Sequence, residues 1–484
     1  MAGIGFQLQK MFKDDHFSSN AKAYGYTAMV TAGPWLVVLA TLLIIQRILP
    51  FSKTADFDGR LVVASISYCF IFSQIIFGAL QLIVTRYVSD RLYERDTKSL
   101  FSVFLGALIV QGAAALLLWL VFCLWSVLPG MYNLLLLFLF MSLLIIWTQS
   151  VFLTAAKQYM TIVRAFVTGG ATAVLLTILL SITTIPDRPF LYEGLVVLAF
   201  LAGMMVTALF LSRMLIGMFP EWGTRDLFKF LSYIDVFPHL MWTGLLYNAG
   251  LWVCNIMIWF GAGSTLIAGT FKVHLQYDTA IFLAYLTIIP TYMFFVVSIE
   301  TRFYEKYKRY YGLINNGGSL GAIEQAMKDM QGTLAGEIKR LIRNQSIVTF
   351  AAILLTVLLF FNYGHDSDFL FMRLFGYVGA FSNALLLVNI LLMLYFEDRK
   401  GAFRSAVIFF IMNAVLTYIL LPTGESNYGL SFATGSSIAF IYSLNRLMNL
   451  MDSIEYHVFT PTQPKGAAGF FTRWSVRLSE RFNQ

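Results

Sequence analysis

The chain has 484 residues, of which 58% are hydrophobic and only 12% charged, with a formal net charge of +8. Soluble domains carry about twice that charged fraction. Here the apolar residues also run on in long unbroken stretches, so a string of soluble domains is excluded and an all-α integral membrane protein is expected.

The opening MAGIGFQLQKMFKDDHFSSN lacks the short apolar core and small-residue cleavage site of a signal peptide, so the first apolar run is expected to stay as a span. A bilayer core about 30 Å thick needs roughly twenty apolar residues per helix. Spans are predicted near Ala23–Ile48, Leu61–Val88, Leu100–Trp125, Asn133–Ala155, Ile162–Thr183 and Leu191–Gly217. A polar stretch, FPEWGTRDLFKFLSYIDVFP, follows as a cytoplasmic connection within residues 218–239. Six more spans are predicted near Leu240–Phe260, Thr279–Ser298, Asn344–Tyr363, Leu374–Phe396, Ala402–Leu421 and Leu430–Leu450. The expectation is therefore about 12 transmembrane helices in two six-helix bundles, residues 1–217 and 240–451, with a cytoplasmic tail over 452–484.

Lys and Arg favour cytoplasmic loops. With the N-terminus inside, only Arg47, Lys53, Arg60, Arg188, Lys272 and Arg373 of the 34 basic residues fall outside. Both termini are thus expected in the cytoplasm, and the basic balance needs no nucleic-acid partner.

Within the spans, ionisable residues would mark function. Arg47 and Asp278 are predicted near outer span ends and Glu300 at an inner one, and no carboxylate falls near a midplane. The plain readings are an N-cap for Asp278 and snorkelling to headgroups for Arg47. In the second span Ser67, Gln74, Gly78, Gln81 and Thr85 fall within a sector of roughly 60° at helical pitch. Gly244, Asn248 and Asn255 make a shorter stripe on the seventh. Such a stripe must face protein or water. It serves either as hydrogen-bonding glue between helices or, with Arg47 and Asp278, as a neutral path suited to sugar hydroxyls. Pro34 and Pro290 are expected to kink the first and eighth spans.

Residues 300–343 form the one sizeable polar insertion, read as a cytoplasmic helical hairpin between the eighth and ninth spans. Phe303, Tyr304, Tyr307, Tyr310, Tyr311 and Ile314 recur at helical spacing, INNGG breaks the run, and Leu320, Ile323, Met327, Met330, Leu334, Ile338 and Leu341 make a second stripe. That stripe packs on itself, docks on the membrane lipids or binds a cytoplasmic partner. Glu300, Arg302, Tyr304, Tyr307, Met327 and Leu334 are the candidate coupling residues, with Glu300 anchored by Arg302 or by a residue of the facing bundle. In the tail, Phe470, Phe471, Trp474 and Leu478 approximate one apolar face. The three cysteines, Cys69, Cys123 and Cys254, and the five histidines form neither a disulfide framework nor a metal spacing. Phosphate-loop, nucleophile-elbow and zinc-pair motifs are absent, so neither a catalytic site nor a cofactor is expected.

The stretches MAGIGFQLQKMF, YGYTAMVTAGPW and FLAYLTIIPTYMFFVVSIETRFYEKYKRYYGLI resemble the PelG family of bacterial inner-membrane exopolysaccharide transporters. Gln7 and Gln9 stand where the family pattern has Glu and Arg. The resemblance runs the full length. It implies two bundles around a central cavity and export of a Pel-type hexosamine polysaccharide. It also implies work with a cytoplasmic glycosyltransferase, a cyclic di-GMP receptor membrane protein and a small membrane partner, and it places residues 299–311 facing the synthase. The alternatives are a flippase or antiporter for a lipid-linked oligosaccharide or small molecule, which needs a coupling acid, and a sugar-polymerising membrane enzyme, which needs paired acids.

Overall fold

The computed structural model describes residues 17–48, 58–183, 189–221, 227–363, 367–454 and 469–481. The helices are α1 (Phe17–Ile48), α2 (Gly59–Tyr93), α3 (Leu100–Trp125), α4 (Gly130–Ala155), α5 (Tyr159–Ile182) and α6 (Leu191–Met218). A short α7 (Ser232–Val236) leads into α8 (Pro238–Ile258). Then come α9 (Leu275–Leu286), α10 (Ile289–Val297), a π turn over Ser298–Phe303, α11 (Tyr304–Asn315) and α12 (Leu320–Tyr363). The chain ends with α13 (Ser367–Tyr395), α14 (Arg399–Leu420), α15 (Tyr428–Asp452) and α16 (Phe470–Arg481).

Among the described residues, ten stretches are long and apolar enough to cross a membrane: α1 to α6, α9 with α10, α12, α13 and α14. Helices α8 and α15 hold the places of the seventh and twelfth expected spans and are more polar. The fold is nearly, not wholly, helical. Contrary to the all-α expectation, strands β1 (Thr265–Ile267) and β2 (Phe271–Val273) pair antiparallel in a predicted loop. Positive φ at Ala268 (47°) and Gly269 (64°) supplies the tight turn that joins twisted strands.

The chain forms two compact units. One contains residues 34–260, 264–274 and 462–484. Its centre is α2, with Val62, Ile66, Ile83 and Val88 fully buried, and α8, counted from the sequence with the second bundle, packs here against it. Glycines allow close crossings: a Cβ on Gly169 would lie 2.4 Å from the Gly203 carbonyl, which brings α5 and α6 together. Helix α3 instead keeps Leu117, Leu124 and Trp125 exposed, as a lipid-facing helix should.

The other unit contains residues 1–33, 261–263 and 275–461. Helix α13 is its core, 72% buried over its span, against 17% for α12. The polar residues of α15 are sealed within it: Asn389 donates to Ser443 at 2.9 Å, and Ser382 pairs with Ser437 at 2.9 Å. Asp398 caps α14 by accepting from the Gly401 N–H and binds Arg446 of α15 at 2.7 Å.

The eighth expected span is broken at Thr287–Ile288, and Pro290 opens α10 where its missing N–H costs least. Gln345 of α12 donates to the freed Thr287 carbonyl at 3.1 Å. In α12 the amphipathic arm and the ninth expected span run on as a single 44-residue helix.

Candidate functional site

Two polar constellations answer to the expected site residues. The first is the seam of α2 and α8. Helix α2 starts at Asp58, whose carboxylate accepts from the Arg60 N–H at 3.0 Å. Twenty residues on, Gly78 meets Gly244: a Cβ on Gly244 would lie 2.2 Å from the Gly78 carbonyl oxygen, so only glycine fits. That contact brings the two stripes face to face. Asn248 Nδ2 donates to the Gly244 carbonyl at 2.8 Å and reaches Gln81 Oε1 at 3.5 Å. Trp252 Nε1 donates to Gln74 Oε1 at 3.0 Å. The amides therefore hydrogen-bond between the two helices, and Trp252 is a partner that apolar counting overlooked. Asn255 is buried, Ser67 half-buried, and Thr85 exposed with its hydroxyl turned back to the Gln81 carbonyl.

At one end of the seam Tyr68 stacks on Trp259, with centroids 4.5 Å apart, meets Phe271 edge-on and donates to the Lys272 carbonyl at 2.6 Å. Lys272 in turn lies over the Phe260 ring at 4.6 Å. Arg47 is not in the seam. It borders an open apolar crevice lined by Leu43, Ile44, Ile48, Ile178 and Ser181. Asp278 is not an N-cap: α9 begins at Leu275, so Asp278 stands within its first turn, where a carboxylate complements the helix dipole.

The second constellation is the elbow from α10 through the π turn to α11 and α12. The Glu300 side chain lies outside the described residues. Arg302 pairs with Glu337 of α12 at 3.0 Å, and Arg340 joins the same carboxylate at 3.1 Å. Glu337, at 6% exposure, was missed because it reads as part of a solvated face. The stripe of α12 is packed over its later turns: Met330 and Leu334 are wholly buried, Ile338 and Leu341 nearly so, and Met327 half-buried, while Leu320 at its start is exposed. Tyr304 is half-buried. Tyr307 packs against Tyr311 at 4.4 Å and Tyr395 at 4.7 Å between centroids. Burial pushes the phenols of Tyr307 and Tyr311 up, so both stay neutral hydroxyls.

The tail helix α16 is tied to α7. Asp235 accepts from the backbone N–H groups of Phe471 (3.3 Å) and Thr472 (2.6 Å) and from the Thr472 hydroxyl (2.7 Å). Burial pushes the Asp235 carboxyl up, but these bonds and the nearby Arg473 outweigh it and leave it below the ordinary carboxylate range. Phe470 and Trp474 are exposed and stacked on one another. The Leu478 side chain lies outside the described residues. No group of three or more His, Cys, Asp or Glu able to hold a metal occurs among the described residues.

Comparison with solved structures identifies the fold. The chain is similar to a MATE transporter in the straight conformation, with TM-score 0.59 and 14% identity over 89% of this chain and 95% of that one. It is similar to an outward-facing multidrug resistance MATE family transporter of the MOP superfamily, with TM-score 0.55 and 13% identity over 89% and 95%. A MOP superfamily transporter from Pyrococcus furiosus Vc1 (DSM3638) matches with TM-score 0.55 and 14% identity over 89% and 94%. No curated protein matches. The apolar helices and these neighbours make the chain a multi-pass membrane protein with a transporter fold. A family model matches residues 1–459; it is PelG, described as "Putative exopolysaccharide Exporter (EPS-E)". The chain belongs to the PelG family.

Proposed function

We propose that this protein exports a Pel-type hexosamine polysaccharide across the bacterial inner membrane, working with a cytoplasmic glycosyltransferase. The observation that carries the reading is the family match over residues 1–459 on a MATE-like transporter fold. The burial of charge supports it. The buried carboxylates among the described residues each have a partner: Glu193 accepts from the Asp58 N–H, Glu337 holds two arginines, and Asp398 holds Arg446. An ion-coupled antiporter, the alternative on this fold, calls for an acid free to load and unload.

In this reading all twelve helices span, with both termini cytoplasmic. The path residues are Ser67, Gln74, Gln81, Thr85, Asn248 and Asn255, with Arg47 and Asp278 towards the outer side. The six uncharged residues make a neutral stretch of lining along which a long polymer slides. Residues 300–343 form the cytoplasmic arm, and Glu300, Arg302, Tyr304, Tyr307, Met327 and Leu334 belong to the elbow that meets the synthase. A cyclic di-GMP receptor and a small membrane protein complete the complex. Because Leu334 is buried, its replacement would unfold the arm, and exposed residues make the better test. Charge reversal at Lys308 and Lys328 (Lys308→Glu, Lys328→Glu) is expected to reduce co-purification of the glycosyltransferase and polymer secretion at unchanged membrane level. Unaltered co-purification and secretion would remove the arm from the partner role.

A further inference from the structure

The Arg302–Glu337–Arg340 cluster has more positive charge and more hydrogen-bond donors than its own acid uses. Each arginine commits only its Nη1 atom to Glu337, at 3.0 and 3.3 Å from Arg302 and at 3.1 and 3.4 Å from Arg340. A guanidinium carries five N–H donors in a rigid fork, and among the described residues Nε and Nη2 of both have no acceptor. Among the described side chains, one carboxylate between two cations leaves the cluster one positive charge in excess.

The cluster opens on a cavity of about 60 Å³ lined by Phe294, Val297, Ser298, Arg302, Arg340, Leu341 and Asn344. On this measure roughly 10–15 Å³ is enough to hold one water, so the space has room for a compact oxyanion. Its polar wall comes from two elements. Glu337, Arg340 and Asn344 recur at offsets of three and four and share a face of α12. Ser298 and Arg302 come from the π turn, a widened helical turn often found at functional sites. Ser298 is only 5% exposed, whereas the Arg302 and Arg340 side chains are 50% and 45% exposed, so the pocket has a fixed floor and an accessible mouth. The Asn344 amide has no side-chain partner among the described residues.

We propose that this cavity binds a phosphate-class oxyanion, gripped by the free edges of Arg302 and Arg340, with Ser298 and Asn344 as further donors. Guanidinium forks match phosphate oxygens two at a time. The phosphate belongs to a lipid headgroup or to a soluble phosphoryl compound. The bound anion neutralises the excess charge and joins the π turn to α12. The site stands whether or not the protein carries a polysaccharide.

The test uses the full-length protein. Delipidated protein in detergent is titrated with inorganic phosphate and followed by phosphorus NMR. The same protein in phosphatidylcholine nanodiscs, with and without phosphatidylglycerol, is analysed by native mass spectrometry for retained lipid. Saturable phosphate binding identifies a soluble source and retained phosphatidylglycerol identifies a headgroup; either supports the site if it weakens tenfold or more in Arg340→Gln and in Asn344→Leu. Asn344→Leu fills the cavity and leaves both ion pairs in place, so it decides the matter alone if Arg340→Gln fails to fold. Arg340→Lys, which keeps charge without the fork, is expected to bind at an intermediate level. Failure of the native protein to bind either probe, or equal binding by the native protein and folded Asn344→Leu, overturns the proposal.

Discussion

The α2–α8 seam and the α10–α12 elbow are both polar clusters in an apolar chain, yet they are built in opposite ways. The seam is neutral and internally paired. Gly78 and Gly244 bring the backbones together, and amides and an indole pair across the join. The elbow is charged and partly open, with two half-exposed arginines around one buried carboxylate and a cavity beside them. In lipid an unpaired amide is costly, so the seam's hydrogen bonds hold helices together. The elbow has donors with no acceptor among the described residues at an accessible mouth.

The largest effect is expected at the glycines. Gly244→Leu would force the seam apart, and overpacking of this kind costs about 3 kcal/mol. The expected outcome is a large fall in the detergent unfolding temperature or loss of folded protein. Glu337→Gln should be milder, because Arg302 and Arg340 keep half their solvent: a loss of about 1 kcal/mol is expected, with phosphate binding retained. Removing the indole donor with Trp252→Phe should cost about 0.6–1 kcal/mol, and a cycle with Gln74→Leu should show the two residues coupled. Additive effects would show that the pair is incidental.

The smallest effect concerns the tail. The Asp235 carboxyl lies below its ordinary 3.8, so its hold on α16 is complete above that value and is lost as pH falls through the depressed one. A spin label at position 477 (Arg477→Cys) should stay immobile from neutral pH to about pH 4 and loosen below it. Asp235→Asn should loosen it at neutral pH.

The spans were legible because a run of apolar residues marks lipid. Leu100–Trp125 in α3 was read to the residue. What was not legible follows from the same rule. In α12 composition changes at Asn344 while the helix does not, because the membrane boundary and the helix boundary are separate things. The three-residue strands near Gly269 are too short to show an alternating pattern. Pro290 announced the break in the eighth span, and no residue announced the π turn after it. At the seam the amide stripes were visible at helical pitch, but their mutual pairing depended on Gly78 meeting Gly244, a contact between residues 166 apart. At the elbow Arg302 was singled out and its partner was not, because Glu337 lies among Lys339, Arg340 and Arg343 and resembles one more surface charge.

Export of a polysaccharide can be read out in inverted membrane vesicles containing this chain and the proposed partner glycosyltransferase. When an activated sugar donor is supplied outside, polymer is expected to accumulate in the lumen, protected from an added glycoside hydrolase until detergent is added. Polymer made in equal amount but fully open to the hydrolase, with and without this chain, would contradict it.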